Sequence, residues 1–166
     1  MSDQEATIAS LAARVRELED RLAIYDLIAS YGPIVDSGSD DAVAQVFRED
    51  SVYDSDPSPM EGRPAISAMV RSDGHQGLIH SGAAHVMALP VVHVDGDRAV
   101  ATGYSRVYRT DRRGGFEVWR VSANRWELER GADGWRAVHR VNRLLDGRDE
   151  SRQILRNGVA LRDLGN

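Results

Sequence analysis

The chain has 166 residues, 42% of them hydrophobic, with a formal net charge of −5, the size of a single domain with its own core. No block of like charge runs long enough to track a phosphate backbone or a lipid surface, which argues against nucleic-acid and membrane partners. The lack of cysteine excludes a disulfide framework, a thiolate zinc site and a cysteine nucleophile.

All 21 basic residues are arginine, a coding bias that weakens any argument from one arginine alone. The first residues, MSDQEATIAS, lack the basic start and apolar run of a signal peptide, and no stretch reads as a membrane span. A soluble cytoplasmic protein is the simplest expectation.

Taken in chain order, Ile8, Leu11, Val15, Leu18 and Leu22 recur at spacings of three and four with Glu and Arg between them, which predicts an amphipathic helix. The repeat is brief, so packing on the domain's own sheet is expected over a coiled-coil arm, which stays the alternative. Ile24, Leu27, Ile28 and Tyr31 extend the pattern until Gly32-Pro33, where a kink or interruption is expected. The polar turn from Asp36 leads to Ser39 or Asp40 as the cap of a second helix carrying Val43, Val46 and Phe47.

Ser51 to Tyr53 reads as a short strand, Asp54 to Pro59 as a loop, and Arg63 to Val70 as a third helix with Pro64 in its first turn. Ser72 to Gly82, with three glycines, reads as a flexible passage. From His85 the period becomes two, and turn signals at Asp95-Gly-Asp, Asp111 to Gly115 and Gly131 to Gly134 divide four antiparallel strands. Their expected limits are His85 to Val94, Arg98 to Thr110, Phe116 to Arg130 and Trp135 to Leu144. Helices first and a long meander afterwards is an α+β order, with helices covering one face of a strongly curved antiparallel sheet and a pocket between them. Residues 1–147 form one domain in this reading. The tail, 148–166, has weak helical spacing and either docks on the outside of the sheet, caps an oligomer or frays.

Several segments then carry a resemblance: Ile24-Tyr-Asp-Leu leading through Tyr31 to Asp36, His85 followed by Pro90, Asp95-Gly-Asp-Arg-Ala, Ser122-Ala-Asn and Gly134-Trp. Across residues 20 to 147 the chain resembles the SnoaL-like branch of the NTF2-like superfamily, which includes scytalone dehydratase and a hexachlorocyclohexane dehydrochlorinase. The resemblance implies a cone-shaped α+β fold, dimers or trimers, and a catalytic pair in which Asp36 orients His85. It also implies that Tyr53 holds a water or a substrate carbonyl and that Asn124 binds substrate. Two positions depart from the dehydratase pattern: Val35 stands where a tyrosine is expected, and the Tyr104 to Arg109 strand has no histidine.

An imidazole beside a carboxylate is held in one orientation, has its cation stabilised, and can take a proton near neutral pH. The expected activity is therefore a cofactor-independent lyase or isomerase acting on a hydrophobic cyclic or aromatic small molecule. A non-catalytic binding or assembly module on the same fold is the alternative, and an epoxide hydrolase or polyketide cyclase a further one. Without the resemblance, Asp36 is a turn residue and His85 an ordinary strand histidine. His75, His80 and His85 are spaced by five, which fits neither one helical face nor one strand face, so no metal is expected. His80 is a candidate for the pocket mouth. Arg120 shares a strand face with Ser122, Asn124 and Trp126, so it either enters the cavity and counters an anionic oxygen or lies on the outer face. Asp26 is expected to pair with a neighbouring arginine. The three tryptophans are expected in the core or at a subunit contact.

Overall fold

The computed structural model describes residues 2–111 and 113–161; Arg112 of the predicted turn and residues 162–166 of the predicted tail lie outside them. Helix α1 (Asp3–Asp36) is followed by a 3₁₀ turn (Asp40–Gln45), β1 (Phe47–Ser55), β2 (Met60–Glu61), α2 (Arg63–Arg71) and α3 (Asp73–His80). Then come β3 (Ala83–Met87), β4 (Val91–Asp95), β5 (Arg98–Thr110), β6 (Phe116–Gly131), β7 (Gly134–Leu144) and α4 (Asp149–Ala160). The order along the sheet is β2-β1-β7-β6-β5-β3, with β4 also paired to β5. Every pairing is antiparallel except β1 with β7, so the curled, open sheet is mixed rather than wholly antiparallel.

Helix α1 begins on a capping box in which the Ser2 hydroxyl accepts from the Glu5 N–H and the Glu5 carboxylate accepts from the Ser2 N–H. It runs unbroken through Gly32-Pro33. Its second half buries Ile24, Leu27, Ile28, Tyr31 and Val35 against the sheet. The first half does not pack there: Ile8, Leu11, Val15, Leu18 and Leu22 are each 52–61% exposed. At 1.5 Å per residue the helix is about 50 Å long, and its N-terminal part projects past the sheet.

The expected strand from His85 to Val94 is two strands on one edge of β5, separated at Pro90, which has no N–H for the ladder. The glycine-containing passage from Ser72 is a helix, capped by the Ser72 hydroxyl accepting from the His75 N–H. The expected second helix is only the 3₁₀ turn, and Phe47 already begins β1. Helix α4 docks on β5, β6 and β7 and buries Ile154 and Gly158. The core is an aromatic cluster of Tyr31, Phe47, Tyr53 and Trp126, with ring centroids 5.7–6.4 Å apart, ringed by aliphatic residues. Asp20, buried on α1, accepts from Arg130 at 2.6 Å and from the Trp135 indole at 3.1 Å, fastening the helix to the β6–β7 hairpin.

Candidate functional site

A cavity of about 140 Å³ opens between the C-terminal end of α1, helices α2 and α3, and the inner face of the sheet. Its apolar wall is Tyr31, Tyr53, Met60, Met69, Met87, Val107 and Trp119; its polar groups include His75, His85, Ser105, Arg120, Ser122, Arg140 and Asn142. A dry space of comparable size holds a single benzene-sized ring.

Asp36 and His85 meet at one end. Asp36 Oδ2 accepts the backbone N–H of His85 at 2.7 Å, and Oδ1 accepts from His85 Nδ1 at 2.6 Å. The side chains are 22% and 18% exposed respectively, so water screens the pair only in part. Because the carboxylate accepts the Nδ1 proton, the neutral ring presents Nε2 as a lone pair, and Nε2 has no hydrogen-bond partner among the described residues. Gly32 makes this approach possible. A Cβ on it would lie 2.0 Å from the His85 carbonyl oxygen, so only a glycine lets α1 run this close to β3.

His75 flanks the pair, its ring centroid 5.6 Å from that of His85. Its Nε2 donates to the Val35 carbonyl at 2.7 Å, one residue before Asp36. His80, expected at the pocket mouth, is exposed at the end of α3, with Nδ1 donating to the Gln76 carbonyl. The α3 helix turns His75 inward and His80 outward, because five residues span well over one helical turn.

Arg120 lines the cavity, the inward of its two expected placements, with Nε donating to Ser122 Oγ at 3.3 Å and Nη2 to Asn142 Oδ1 at 3.4 Å. Tyr53 is on the wall. Asn124 is fully buried behind it rather than free for a ligand. Its Oδ1 accepts from Arg140 Nε at 3.1 Å, Arg140 Nη2 at 2.8 Å and Asn142 Nδ2 at 2.9 Å, while its Nδ2 donates to Ser105 Oγ at 2.8 Å. Both ends of the carboxamide are committed.

Arg140 is the residue sequence reasoning missed. It is 2% exposed, and its guanidinium carbon lies 4.1 Å from the Tyr31 ring centre, 4.2 Å from that of Trp126 and 4.5 Å from that of Tyr53. No carboxylate pairs with it among the described residues, and Nη1 has no hydrogen-bond partner there. Burial, together with the neighbouring Tyr53, pushes the Tyr31 hydroxyl well above the ordinary tyrosine value, so it stays a protonated donor. Met69, Met87 and Val107 line the cavity, whereas Leu89, in the break between β3 and β4, is exposed. Among the described residues no three carboxylate or imidazole side chains gather as a metal ion would need, and no helix is long and apolar enough to cross a membrane.

A family model described as a SnoaL-like domain matches residues 16–141. The chain belongs to the SnoaL-like family. That family includes isomerases, dehydratases and cyclases. Among solved structures, the chain is similar to an NTF2-like protein with a cystatin-like fold from Novosphingobium aromaticivorans, with 44% identity, a TM-score of 0.85, and 89% of this chain and 96% of that one covered. An NTF2-like superfamily protein from Salmonella enterica shares the fold at 17% identity and a TM-score of 0.63, over 77% of this chain and 92% of that one. A protein of unknown function from Mycobacterium tuberculosis does so at 21% identity and a TM-score of 0.67, over 84% and 92%. The fold is thus the NTF2-like, cystatin-like α+β fold. No curated protein matches the chain.

Proposed function

We propose that the protein is a cofactor-independent lyase or isomerase that removes a proton from a compact, hydrophobic, ring-sized molecule. The observation that carries this reading is the His85–Asp36 contact, which leaves Nε2 unpartnered beside a cavity whose apolar wall is made mainly of aromatic and methionine side chains and whose polar side carries Arg120 and Arg140. Nε2 takes the proton from carbon or hydroxyl, and the Asp36 carboxylate stabilises the imidazolium that forms.

Negative charge then develops on the substrate. Arg140 supports its accumulation, because a buried guanidinium without a carboxylate partner raises the potential of the space beside it. Arg120, which lines the same cavity, adds further donors. Returning the proton from His85 to a leaving hydroxyl completes a dehydration with water as product; returning it to another carbon completes an isomerisation. Asn124 acts through Arg140, holding two of its donors, so it positions that group and does not touch substrate.

The test is proton exchange in deuterium oxide. A panel of single-ring ketones and hydroxy-ketones is incubated with the protein, and deuterium uptake at the α-carbon is read by mass spectrometry. Uptake above buffer that is lost in His85→Gln supports the proposal. Compounds that bind, by ligand-observed NMR, without exchange or elimination would instead favour a non-catalytic binding module.

A further inference from the structure

The projecting half of α1 carries a pattern that the domain itself leaves unused. Ile8, Val15 and Leu22 recur every seven residues, with Leu11 and Leu18 between them, and all five are more than half exposed. We propose that this arm forms a parallel, two-stranded coiled coil with the same segment of a second copy of the chain. The inference does not depend on the catalytic reading.

Three observations select this occupant. With Ile8, Val15 and Leu22 at the first position of the heptad and Leu11 and Leu18 at the fourth, β-branched residues stand at two of the first positions and leucine at both fourth ones, the arrangement that favours two parallel strands. The flanking charges agree. Parallel, in-register pairing brings Arg14 to the partner's Glu19, and Arg21 to the partner's Asp26. Antiparallel pairing would set arginine against arginine and carboxylate against carboxylate.

These charges are also available. Arg14, Glu19 and Asp26 are exposed and make no ion pair among the described residues, so the pairing once expected for Asp26 within its own chain is absent. Arg21 already holds Glu17 and the Val92 carbonyl, which makes Arg14 with the partner's Glu19 the diagnostic contact.

The energetics suit a dimer that dissociates on dilution. A free peptide of two and a half heptads would be too short to form a helix alone, but this arm continues a helix already fixed in the core from Ile24 onward and by the Asp20 contacts, so nucleation costs nothing further. Covering the five side chains on both copies removes on the order of 1,000 Å² from water, the lower edge of a stable interface. The two domains then lie side by side at the C-terminal end of the coil, since Leu22 is still exposed and Ile24 is already in the core.

Charge exchange tests it, with sedimentation equilibrium as the readout and circular dichroism confirming that each variant is folded. Arg14→Glu and Glu19→Arg should each weaken self-association roughly fivefold, two like-charge contacts replacing two attractive ones. An equimolar mixture of the two variants restores both contacts and should associate like wild type. Leu18→Asp should be monomeric, and Leu11→Cys, the sole cysteine in its chain, should cross-link to its twin on oxidation. A monomeric wild type, a dimer that survives Leu18→Asp, a mixture no tighter than the single variants, or a Leu11→Cys dimer that does not cross-link would each overturn the proposal.

Discussion

Substituting Gly32 by alanine sets two effects of opposite sign against each other. Within a helix, Gly→Ala ordinarily stabilises by about 1 kcal/mol through backbone entropy. Here the added Cβ would stand 2.0 Å from the His85 carbonyl oxygen, where ordinary contact begins at 3.4 Å, so α1 and β3 must separate by about 1.4 Å. The atom it meets is backbone, which cannot rotate away. Overpacking of this kind costs about 1–3 kcal/mol, and it outweighs the propensity gain. The same displacement stretches the 2.6 and 2.7 Å contacts between Asp36 and His85 to roughly 4 Å, beyond hydrogen bonding. Gly32→Ala is therefore expected to lower the urea midpoint while its folded fraction loses the hydrogen-bonded His85 Nδ1–H signal, and to lower any turnover by about 100-fold. A variant as stable as wild type that retains the Nδ1–H signal would refute the reasoning.

Asp20→Ala strips Arg130 of a charged partner and leaves the Trp135 indole N–H unpaired, so a loss of about 1.5–3 kcal/mol is expected in urea unfolding; a change below about 0.5 kcal/mol would mean that the contact is not maintained in solution. Tyr31 supplies a pH dependence. Its folded-state value is raised above the unfolded one, so its contribution is intact below pH of about 10 and is lost above it, by up to about 1.4 kcal/mol per pH unit. Tyr31→Phe should accordingly lose less stability than wild type between about pH 10 and 11, in denaturant melts at each pH. Gly158→Ala places a Cβ 2.4 Å from Thr102, a side chain on the central β5 strand, and should release α4 from the sheet, seen as faster amide exchange across α4 with the core protected.

Much of the architecture was readable because the chain announces its turns. The glycine-containing hairpin signals at Asp95, Asp111 and Gly131 place β5, β6 and β7 within a residue or two of their observed limits. Asp36 and His85 were reached only through the family resemblance, since neither a turn aspartate nor a strand histidine is informative alone, and the structure brings their side chains into contact. What periodicity could not show was anything that depends on a bulge. Strict alternation from Trp135 and Ala137 turns His139 inward and Arg140 outward. The register shift between the Leu128–Ala137 and Glu127–His139 pairs inserts Val138, which inverts the face and delivers Arg140 and Asn142 to the core. Helix α3 escaped notice because Gly74 and Gly77 depress helix propensity, which the Ser72 cap and packing on the domain offset. The heptad on α1 was visible, but nothing in the sequence says that the helix outruns the sheet it was expected to cover.

The central claim is that Asp36 fixes the tautomer of His85 so that Nε2 faces the cavity as a base. In wild type both carboxylate oxygens accept, one from the His85 backbone N–H and the other from Nδ1–H. In Asp36→Asn the amide oxygen must still accept the backbone N–H, which turns the NH₂ group toward Nδ1 and forces the proton onto Nε2. Side-chain ¹⁵N NMR at a pH where the ring is neutral distinguishes the two forms, with His85→Gln assigning the signal. The account predicts a protonated Nδ1 in wild type and a protonated Nε2 in Asp36→Asn; a protonated Nε2 in wild type, or the same tautomer in both proteins, would contradict it.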